Sequence, residues 1–282
     1  MGLDQAGMMG NLKVFDGHLN PAQIRKNILD LAKNGNAGHI GCSLCLVELL
    51  TVLYTHFIRL NWEHLNDPRR DILALSKGHG VMALYACFKE FGWVSEAEFK
   101  NYLSPTNYLK GLSSVHVEGI EVSGGSLGQG ITTAVGMAKA SKILEDGSNV
   151  FCIIGDGESN EGSVWESLMF AAHHQLDNLI VLVDHNNYQA MGKTESIIHG
   201  SILKKFTSFG FDSIEIDGHN ESEIKRAISE LMNNKSYRPK AVVANTIKGK
   251  GVSFMENNNI WHYQRMTEND YAMAVRDVIN ER

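Results

Sequence analysis

Two continuous apolar runs in the middle of the chain constrain its fold more than any other feature. VFCII (150–154) leads into GDGESNEG (155–162), and LIVLV (179–183) ends in DHNN (184–187). A stretch with helical spacing, SVWESLMFAAHHQL, lies between the two runs. Apolar runs without polar alternation are typical of strands covered on both faces, and a helix between two such strands indicates a parallel βαβ unit.

The same alternation of strands and helices continues along the chain. Further strands are predicted at 70–76, 213–218 and 240–251. Helices are predicted at 22–35, 43–56, 81–92, 95–103, the later part of 123–145, 163–176, 201–210 and 221–234. This order predicts an α/β fold: a doubly wound, mostly parallel sheet with helices on both faces. The simplest division is an N-terminal extension over 1–20 and one domain over 21–282.

Three of the predicted helices begin with recognisable signals. Pro21 suits the first turn of a helix, where its missing N–H costs nothing. Ser95 followed by Glu98 matches a capping box, and Asn220 is a favoured N-cap residue.

Charge and composition exclude several classes of protein. With 43% hydrophobic and 21% charged residues and a net charge of −6, the chain is typical of globular proteins. The densest basic cluster is only KGKG (248–251), so nucleic acid is not an expected partner. The start of the chain lacks the pattern of a signal peptide. The longest apolar run, LCLVELLTVLY (44–54), contains Glu48 and is too short to span a bilayer. We therefore expect a cytoplasmic protein without membrane contact.

The four cysteines do not form a disulfide pattern. Cys42 and Cys45 make a C-x-x-C, whereas Cys87 and Cys152 stand alone. Zinc binding or redox chemistry is one interpretation of the pair. The spacing favours the other, in which the pair lies in the first turn of a buried helix, because no second ligand pair is at hand.

Polar residues collect where the two central strands end. Asp156 stands between two glycines, and Asp184, Asn186 and Asn187 follow the next strand. Ligands of such sheets bind beyond the carboxyl ends of the strands. A carboxylate, an amide oxygen and a carbonyl form a hard ligand set for Mg²⁺ or Ca²⁺, which phosphates of a ligand would complete. A plain tight turn is the alternative interpretation of GDG alone.

Several motifs in order resemble those of transketolases, over about residues 20 to 265. The central ones are GDGESNEGSVWES and NLIVLVDHNNYQAMG. The others are AGHIGCSL (37–44), LSKGHGVMALYA (75–86), SGGSLGQGITTAVGMA (123–138), DGHNESEI (217–224) and NTIKGKGVSFMENNNIWH (245–262). The resemblance implies the thiamine-diphosphate-binding fold, in its diphosphate-binding domain. It implies thiamine diphosphate and Mg²⁺ as cofactors, with Ca²⁺ or Mn²⁺ as substitutes.

The resemblance also assigns roles to residues. Asp156, Asn186 and the main-chain carbonyl of Tyr188 would bind the metal. The diphosphate would contact the residues Gly157, His79 and His262. The aminopyrimidine side would be lined by Gly124, Gly125, Ser126 and Leu127.

Four histidines are the expected catalytic residues: His39, His79, His262 and His116. The first three lie in matching motifs, and neutral-pH proton transfer suits histidine. The loop that carries His116, SSVHVEGIEV, is shorter than in the family and lacks its prolines. His116 is the expected counterpart of the family histidine, although the alignment leaves room for a shift by one residue.

Two glutamates match family positions that link two halves of a site across a dimer. These are Glu161 and Glu166, and without the resemblance Glu161 would be a capping residue. Tyr263 stands where glycine is usual in the family, so it is expected to reshape the substrate channel. Ile40 replaces the proline that usually follows the histidine at His39.

A full transketolase is more than twice as long as these 282 residues. The resemblance therefore implies the N-terminal subunit of a split transketolase, active with a C-terminal subunit that carries the pyrimidine-binding domain. The expected assembly is α2β2. The expected reaction moves a two-carbon unit from a ketose phosphate to an aldose. The alternatives are a deoxyxylulose-phosphate synthase, a 2-oxoacid dehydrogenase component, and a non-catalytic structural paralogue.

Overall fold

The structure is a computed structural model that describes residues 12–62 and 64–280. The first part of the predicted N-terminal extension, residues 1–11, lies outside the described residues. Within the rest of it, Lys13 pairs with Leu60 in an isolated bridge, and the Phe15 N–H donates to the Tyr54 carbonyl over 2.9 Å. These contacts fix residues 13–15 to the body of the domain.

Five parallel strands form the central sheet, in the order β1-β2-β3-β7-β6. Its strands are β1 (Ile72–Leu75), β2 (Val150–Gly155), β3 (Leu179–His185), β6 (Asp212–Asp217) and β7 (Lys240–Asn245). Strands β4 (Tyr188–Gln189) and β5 (Gly192–Lys193) form a separate antiparallel hairpin. The predicted doubly wound, mostly parallel sheet is confirmed.

The described helices lie on both faces of this sheet. They are α1 (Pro21–Asn34), α2 (Ile40–Leu44), α3 (Val47–His56), α4 (Val81–Glu90), α5 (Glu96–Lys100), α6 (Gln129–Leu144), α7 (Gly162–His173), α8 (Thr194–Ile197), α9 (Ile202–Ser208), α10 (Glu221–Asn233) and α11 (Glu268–Asn280). Sequence reasoning missed the hairpin, α8 and α11. Among these helices, none is long and apolar enough to cross a membrane.

Alternate residues of each strand enter two separate cores. Phe151 and Ile153 of β2 belong to a core with residues of α1, α3, α4 and α10. Cys152 and Ile154 face the opposite core, with residues of α6, α7 and α9. Because both faces are covered, the central strands carry no polar alternation, as their sequences predict.

Helix starts follow the sequence closely. Asn20 caps α1 with Pro21 at its first position. Ser95 and Glu98 form a capping box at α5, and Asn220 caps α10. The helix predicted at 43–56 is wrong in one respect, because the chain forms two helices there. The break at Cys45 and Leu46 turns the first helix, α2, toward the carboxyl ends of the strands.

Candidate active site

One cavity of about 460 Å³ lies beyond the carboxyl ends of β1, β2, β3 and β7. This volume is in the range of small-molecule sites. The strand ends deliver different polar groups to it: Lys77 after β1, Asp156 after β2, Asn186 after β3 and Lys248 after β7. The parallel register explains the convergence, since Gly155 of β2 lies opposite Asp184 of β3.

Asp156 is a buried carboxylate, with 2% of the residue exposed. It accepts hydrogen bonds from the Gly157 N–H at 2.8 Å and from the Thr194 hydroxyl at 3.0 Å. No lysine, arginine or histidine of the described residues lies within ion-pair distance of it. Burial, together with the nearby charge of Asp184, raises the pKa of Asp156. The site therefore has an uncompensated negative charge that a cation would stabilise.

Asn186 and Tyr188 lie beside Asp156 in the cavity wall. The Asn186 amide donates to Asp184 at 2.9 Å, and its oxygen accepts from the Tyr188 N–H at 3.1 Å. One carboxylate, one amide oxygen and one main-chain carbonyl fit Mg²⁺, which takes oxygen ligands and completes its shell with phosphates or water. Among the described residues no cluster of three His, Cys, Asp or Glu could hold a metal without such help.

Asp184 has a structural part that the sequence did not reveal. It is fully buried and forms an ion pair with Lys77, which is itself 1% exposed. The hydroxyl of Thr246 and the thiol of Cys45 also donate to it. The Lys77 ammonium holds the pKa of Asp184 at about 2 despite burial. Asp184 is thus neutralised within the protein and positions Asn186 by accepting its amide N–H.

Lys248 is the positive counterpart of Asp156. It is 0% exposed, and its Nζ contacts His262 Nδ1 at 2.8 Å. Within the described part of the chain it has no carboxylate partner. Buried ammonium groups normally carry a counter-ion, so an anion in the cavity would fit beside it. A metal-bound diphosphate would satisfy both Asp156 and Lys248.

Three of the four predicted catalytic histidines meet in the cavity. The ring centroids of His39, His79 and His262 are 5.4 to 5.8 Å apart. His39 reaches this position from a left-handed backbone conformation (φ 60°) just before α2, and His262 from a short 3₁₀ helix.

The three imidazoles are neutral at pH 7. Burial and the positive charges of Lys248 and Lys77 lower the pKa of His39 to about 4. Burial and the charge of Lys248 lower the pKa of His262 to about 4, and burial lowers the pKa of His79 well below its usual range. Each ring can therefore donate one hydrogen bond and accept another without adding charge.

His116 is not brought together with the other three. It is exposed, and the cavity is lined instead by Leu112, four residues earlier. The reason is the way the loop is tied down: Ser113 N–H donates to the Gly78 carbonyl and Gly124 N–H to the Ser113 carbonyl. This pairing holds Leu112 at the cavity, and the residues after Ser113 run away from it.

The glycine-rich loop lies against the cavity only in part. Gly125 and Leu127 line it, whereas Gly124 packs against Gly78, where an added Cβ would lie 2.4 Å from the Gly78 Cα. Ser126 is exposed and does not line the cavity.

Glu158 anchors the same loop and was missed by sequence reasoning. Its carboxylate, in a residue 2% exposed, accepts from the Gly128 N–H at 2.8 Å and the Gly155 N–H at 3.2 Å. It also accepts from the Ser76 hydroxyl. Glu158 thus ties the glycine-rich loop to the ends of β1 and β2.

The remaining predicted residues lie on the rim or in the wall. Gly157 lines the cavity, and a Cβ there would lie 3.0 Å from the Gln189 side chain. Glu161 is exposed at the rim; it is the N-cap residue of α7, but its side chain makes no capping hydrogen bond. Glu166 is exposed on α7. Both glutamates are free to contact another chain, as predicted for a dimer link.

The C-x-x-C pair has no metal or disulfide. Cys42 and Cys45 are both buried and free, and burial raises the pKa of each thiol. Cys42 lies in the short helix α2, as the buried-helix interpretation predicts, and its Sγ is 3.8 Å from His262 Nδ1.

A doubly wound sheet with such a cavity at its strand ends is the class of domain that binds phosphorylated cofactors. The family model described as transketolase, thiamine diphosphate binding domain, matches residues 20–278. The chain therefore belongs to the transketolase N-terminal, thiamine-diphosphate-binding family, as its motifs predict.

Comparisons with individual proteins agree with this family. One of the two subunits of the apulose-4-phosphate transketolase from Phocaeicola vulgatus is 35% identical, over 90% of this chain and 90% of that protein. The 6-deoxy-6-sulfo-D-fructose transketolase subunit SqwG of Clostridium sp. is 37% identical, over 92% and 94%. The transketolase structure from Campylobacter jejuni superposes with a TM-score of 0.83 at 29% identity, over 92% of this chain but 42% of that one.

Proposed function

We propose that this chain is the diphosphate-binding, N-terminal subunit of a split transketolase. The observation that carries the proposal is the pair of uncompensated buried charges, Asp156 and Lys248, which face one cavity beside three neutral histidines. The relatives named as subunits are matched over nine-tenths of their length, whereas the Campylobacter transketolase is matched over 42%. That contrast supports a partner that supplies the remaining domains.

The residues present fit Mg²⁺ and thiamine diphosphate. Asp156, Asn186 and the Tyr188 carbonyl would hold the metal, and Lys248 and the Gly157 main chain would hold the diphosphate. Ca²⁺ or Mn²⁺ would substitute, because each accepts oxygen ligands. When bound, thiamine diphosphate supplies the nucleophilic carbon at which a ketose is cleaved between its second and third carbons.

The histidines would handle the hydroxyl groups and protons of the sugar. In the unliganded chain the pKa of His39 and of His262 is about 4, too low for an efficient base at pH 7. An anion beside Lys248 would offset the positive charge that lowers both pKa values. Ligand binding thus raises the basicity of these two imidazoles when it is needed, while His79 lies between them and the end of β1.

The net reaction would move a two-carbon ketol unit from a ketose to the aldehyde carbon of an aldose. One carbon–carbon bond breaks and one forms, so no external oxidant or reductant is consumed. The relatives are named for apulose 4-phosphate and 6-deoxy-6-sulfo-D-fructose, which both carry an anionic group. We take the substrates of this chain to be sugars of the same kind, principally sugar phosphates.

The partner would be a C-terminal transketolase subunit with the pyrimidine-binding domain, and the assembly α2β2 in the cytoplasm. The exposed carboxylates of Glu161, at the cavity rim, and Glu166, on α7, are placed to contact another chain. A cavity that is open on the side of Met191, 92% exposed, is consistent with a site that another chain completes.

Reconstitution tests this proposal. The chain is purified alone, the product of the neighbouring open reading frame is purified alone, and each is assayed with a ketose phosphate donor, an aldose acceptor, thiamine diphosphate and Mg²⁺. We expect turnover only in the mixture, since each chain supplies half of the site. Full turnover by this chain alone would contradict the need for a partner, and a mixture inactive on every donor would contradict the proposed activity.

A further inference from the structure

A second cavity of about 480 Å³, here called the distal cavity, adjoins the active-site cavity. The two share His39 and Leu112, which line both. On its far side the distal cavity is lined by Lys110, Tyr263 and Arg265. A substrate held at the histidines could therefore extend past Leu112 into this space.

The floor of the distal cavity is firmly built. The Lys110 N–H donates to the Tyr85 hydroxyl and the Tyr102 hydroxyl donates to the Lys110 carbonyl, both over 3.3 Å. Tyr85 and Tyr102 are buried. Because both sides of this peptide are anchored to buried rings, Lys110 is positioned by the core although its side chain is exposed.

Tyr263 forms the wall between the distal cavity and solvent. Its ring packs against His39 with centroids 4.6 Å apart, and an added Cβ on Gly38 would lie 2.9 Å from Tyr263 Cδ2. Leu112, 37% exposed, supplies an apolar surface at the passage between the cavities. Neither side chain would bind a charged group.

The charge of the distal cavity is positive. Lys110 Nζ donates to a neutral group, the Asn107 carbonyl, at 2.8 Å. Among residues 12–62 and 64–280, no carboxylate pairs with Lys110 or Arg265, and no aspartate or glutamate lines this cavity. Two cations without a counter-ion at the end of an otherwise neutral passage attract an anion.

We propose that the distal cavity is a substrate subsite, in which Lys110 and Arg265 bind the anionic end of the sugar, a phosphate or a sulfonate. This inference rests on the proposed function, because it takes the histidine cavity to be the reacting centre. It assigns to this chain a share in substrate selection: the reacting end lies at His39, an uncharged stretch passes Leu112, and the charged end reaches the two cations.

The test uses the complex of this chain with its partner subunit, loaded with thiamine diphosphate and Mg²⁺. The variant Lys110→Gln/Arg265→Gln is compared with wild type on D-fructose 6-phosphate, on 6-deoxy-6-sulfo-D-fructose and on uncharged erythrulose, each with glycolaldehyde as acceptor. The control Lys225→Gln/Lys235→Gln removes two exposed lysines that do not line either cavity. Sulfate binding to each loaded complex is measured by calorimetry.

We expect the variant to raise KM for an anionic donor roughly tenfold, with kcat and KM for erythrulose unchanged, and to weaken sulfate binding similarly. The control should change neither. A rise confined to the phosphate or to the sulfonate donor supports the subsite and identifies its anion. Unchanged KM and unchanged sulfate affinity would overturn it, as would an equal loss on erythrulose. If wild type turns over no donor, the proposed function fails, and the sulfate measurement still decides the subsite.

Discussion

Asp156→Asn is expected to lower the activity of the reconstituted enzyme by more than about a hundredfold without destabilising the metal-free chain. The loss follows because an amide is a poor metal ligand, and even groups behind the ligands are worth about 10- to 100-fold. Stability should hold or rise, because Asp156 is buried near Asp184 with no cation among the described residues, so its charge is a cost in the free chain. Activity and the melting temperature of the isolated chain are the measurements.

The decisive comparison is the response to ligands. Mg²⁺ and thiamine diphosphate should raise the melting temperature of the wild-type complex, because they bind the folded state, and should fail to do so for Asp156→Asn. Asp217→Asn is the matched control, since Asp217 is exposed at the carboxyl end of another parallel strand, β6. A variant that keeps the ligand-dependent rise would show that Asp156 does not bind the metal.

Lys77→Met is expected to destabilise the isolated chain by about 3–5 kcal/mol, the usual cost of breaking a buried ion pair by removing one partner. Methionine fills a similar volume but leaves the Asp184 carboxylate with neutral partners only: Thr246, Cys45 and Asn186. The hydrogen bond from Lys77 to the Cys42 carbonyl is also lost. The free energy of unfolding in urea measures the effect.

Two controls separate charge from packing in that experiment. Lys77→Met combined with Asp184→Asn should recover part of the loss, because the double variant no longer buries an unpaired charge. Lys26→Met removes a partly exposed pair with Asp30 and should cost less than about 1 kcal/mol. If Lys77→Met unfolds at the same urea concentration as wild type, the ion pair does not have the structural importance assigned to it.

The sequence predicts the sheet and one side of the site well. The apolar runs of β2 and β3 identify buried parallel strands, and parallel strands place their carboxyl ends at one edge. The approach of Asp156 to Asn186 follows from that rule alone, and the register of Gly155 opposite Asp184 is in accord with it. His39, His79 and His262 came from motifs, because no local pattern places them together.

The buried charges could not be predicted from local sequence. Lysine is almost always exposed, so Lys77 and Lys248 carry no local sign of burial. Lys77 is buried because Asp184, 107 residues later, neutralises it, and such a pairing depends on the folded chain. The basic cluster at 248–251 is the available signal for Lys248, yet its size alone indicates only that nucleic acid is not an expected partner.

The histidine loop shows a second limit. Sequence comparison places His116 at the site, whereas the structure places Leu112 there, because hydrogen bonds of Ser113 fix the loop. Gly111 before Leu112 is the signal, since glycine precedes the histidine in the family motif. A shift of four residues in a loop changes neither hydrophobic periodicity nor helix signals, so nothing else in the local sequence reveals it.

Titration calorimetry of thiamine diphosphate into the complex of this chain with its partner tests the central claim most directly. In the presence of Mg²⁺ we expect one thiamine diphosphate per copy of this chain, and in excess EDTA we expect binding to be lost. That result would follow from a diphosphate held through a metal at Asp156, Asn186 and the Tyr188 carbonyl. Binding of equal affinity with and without divalent metal, or no binding to the complex, would contradict the account.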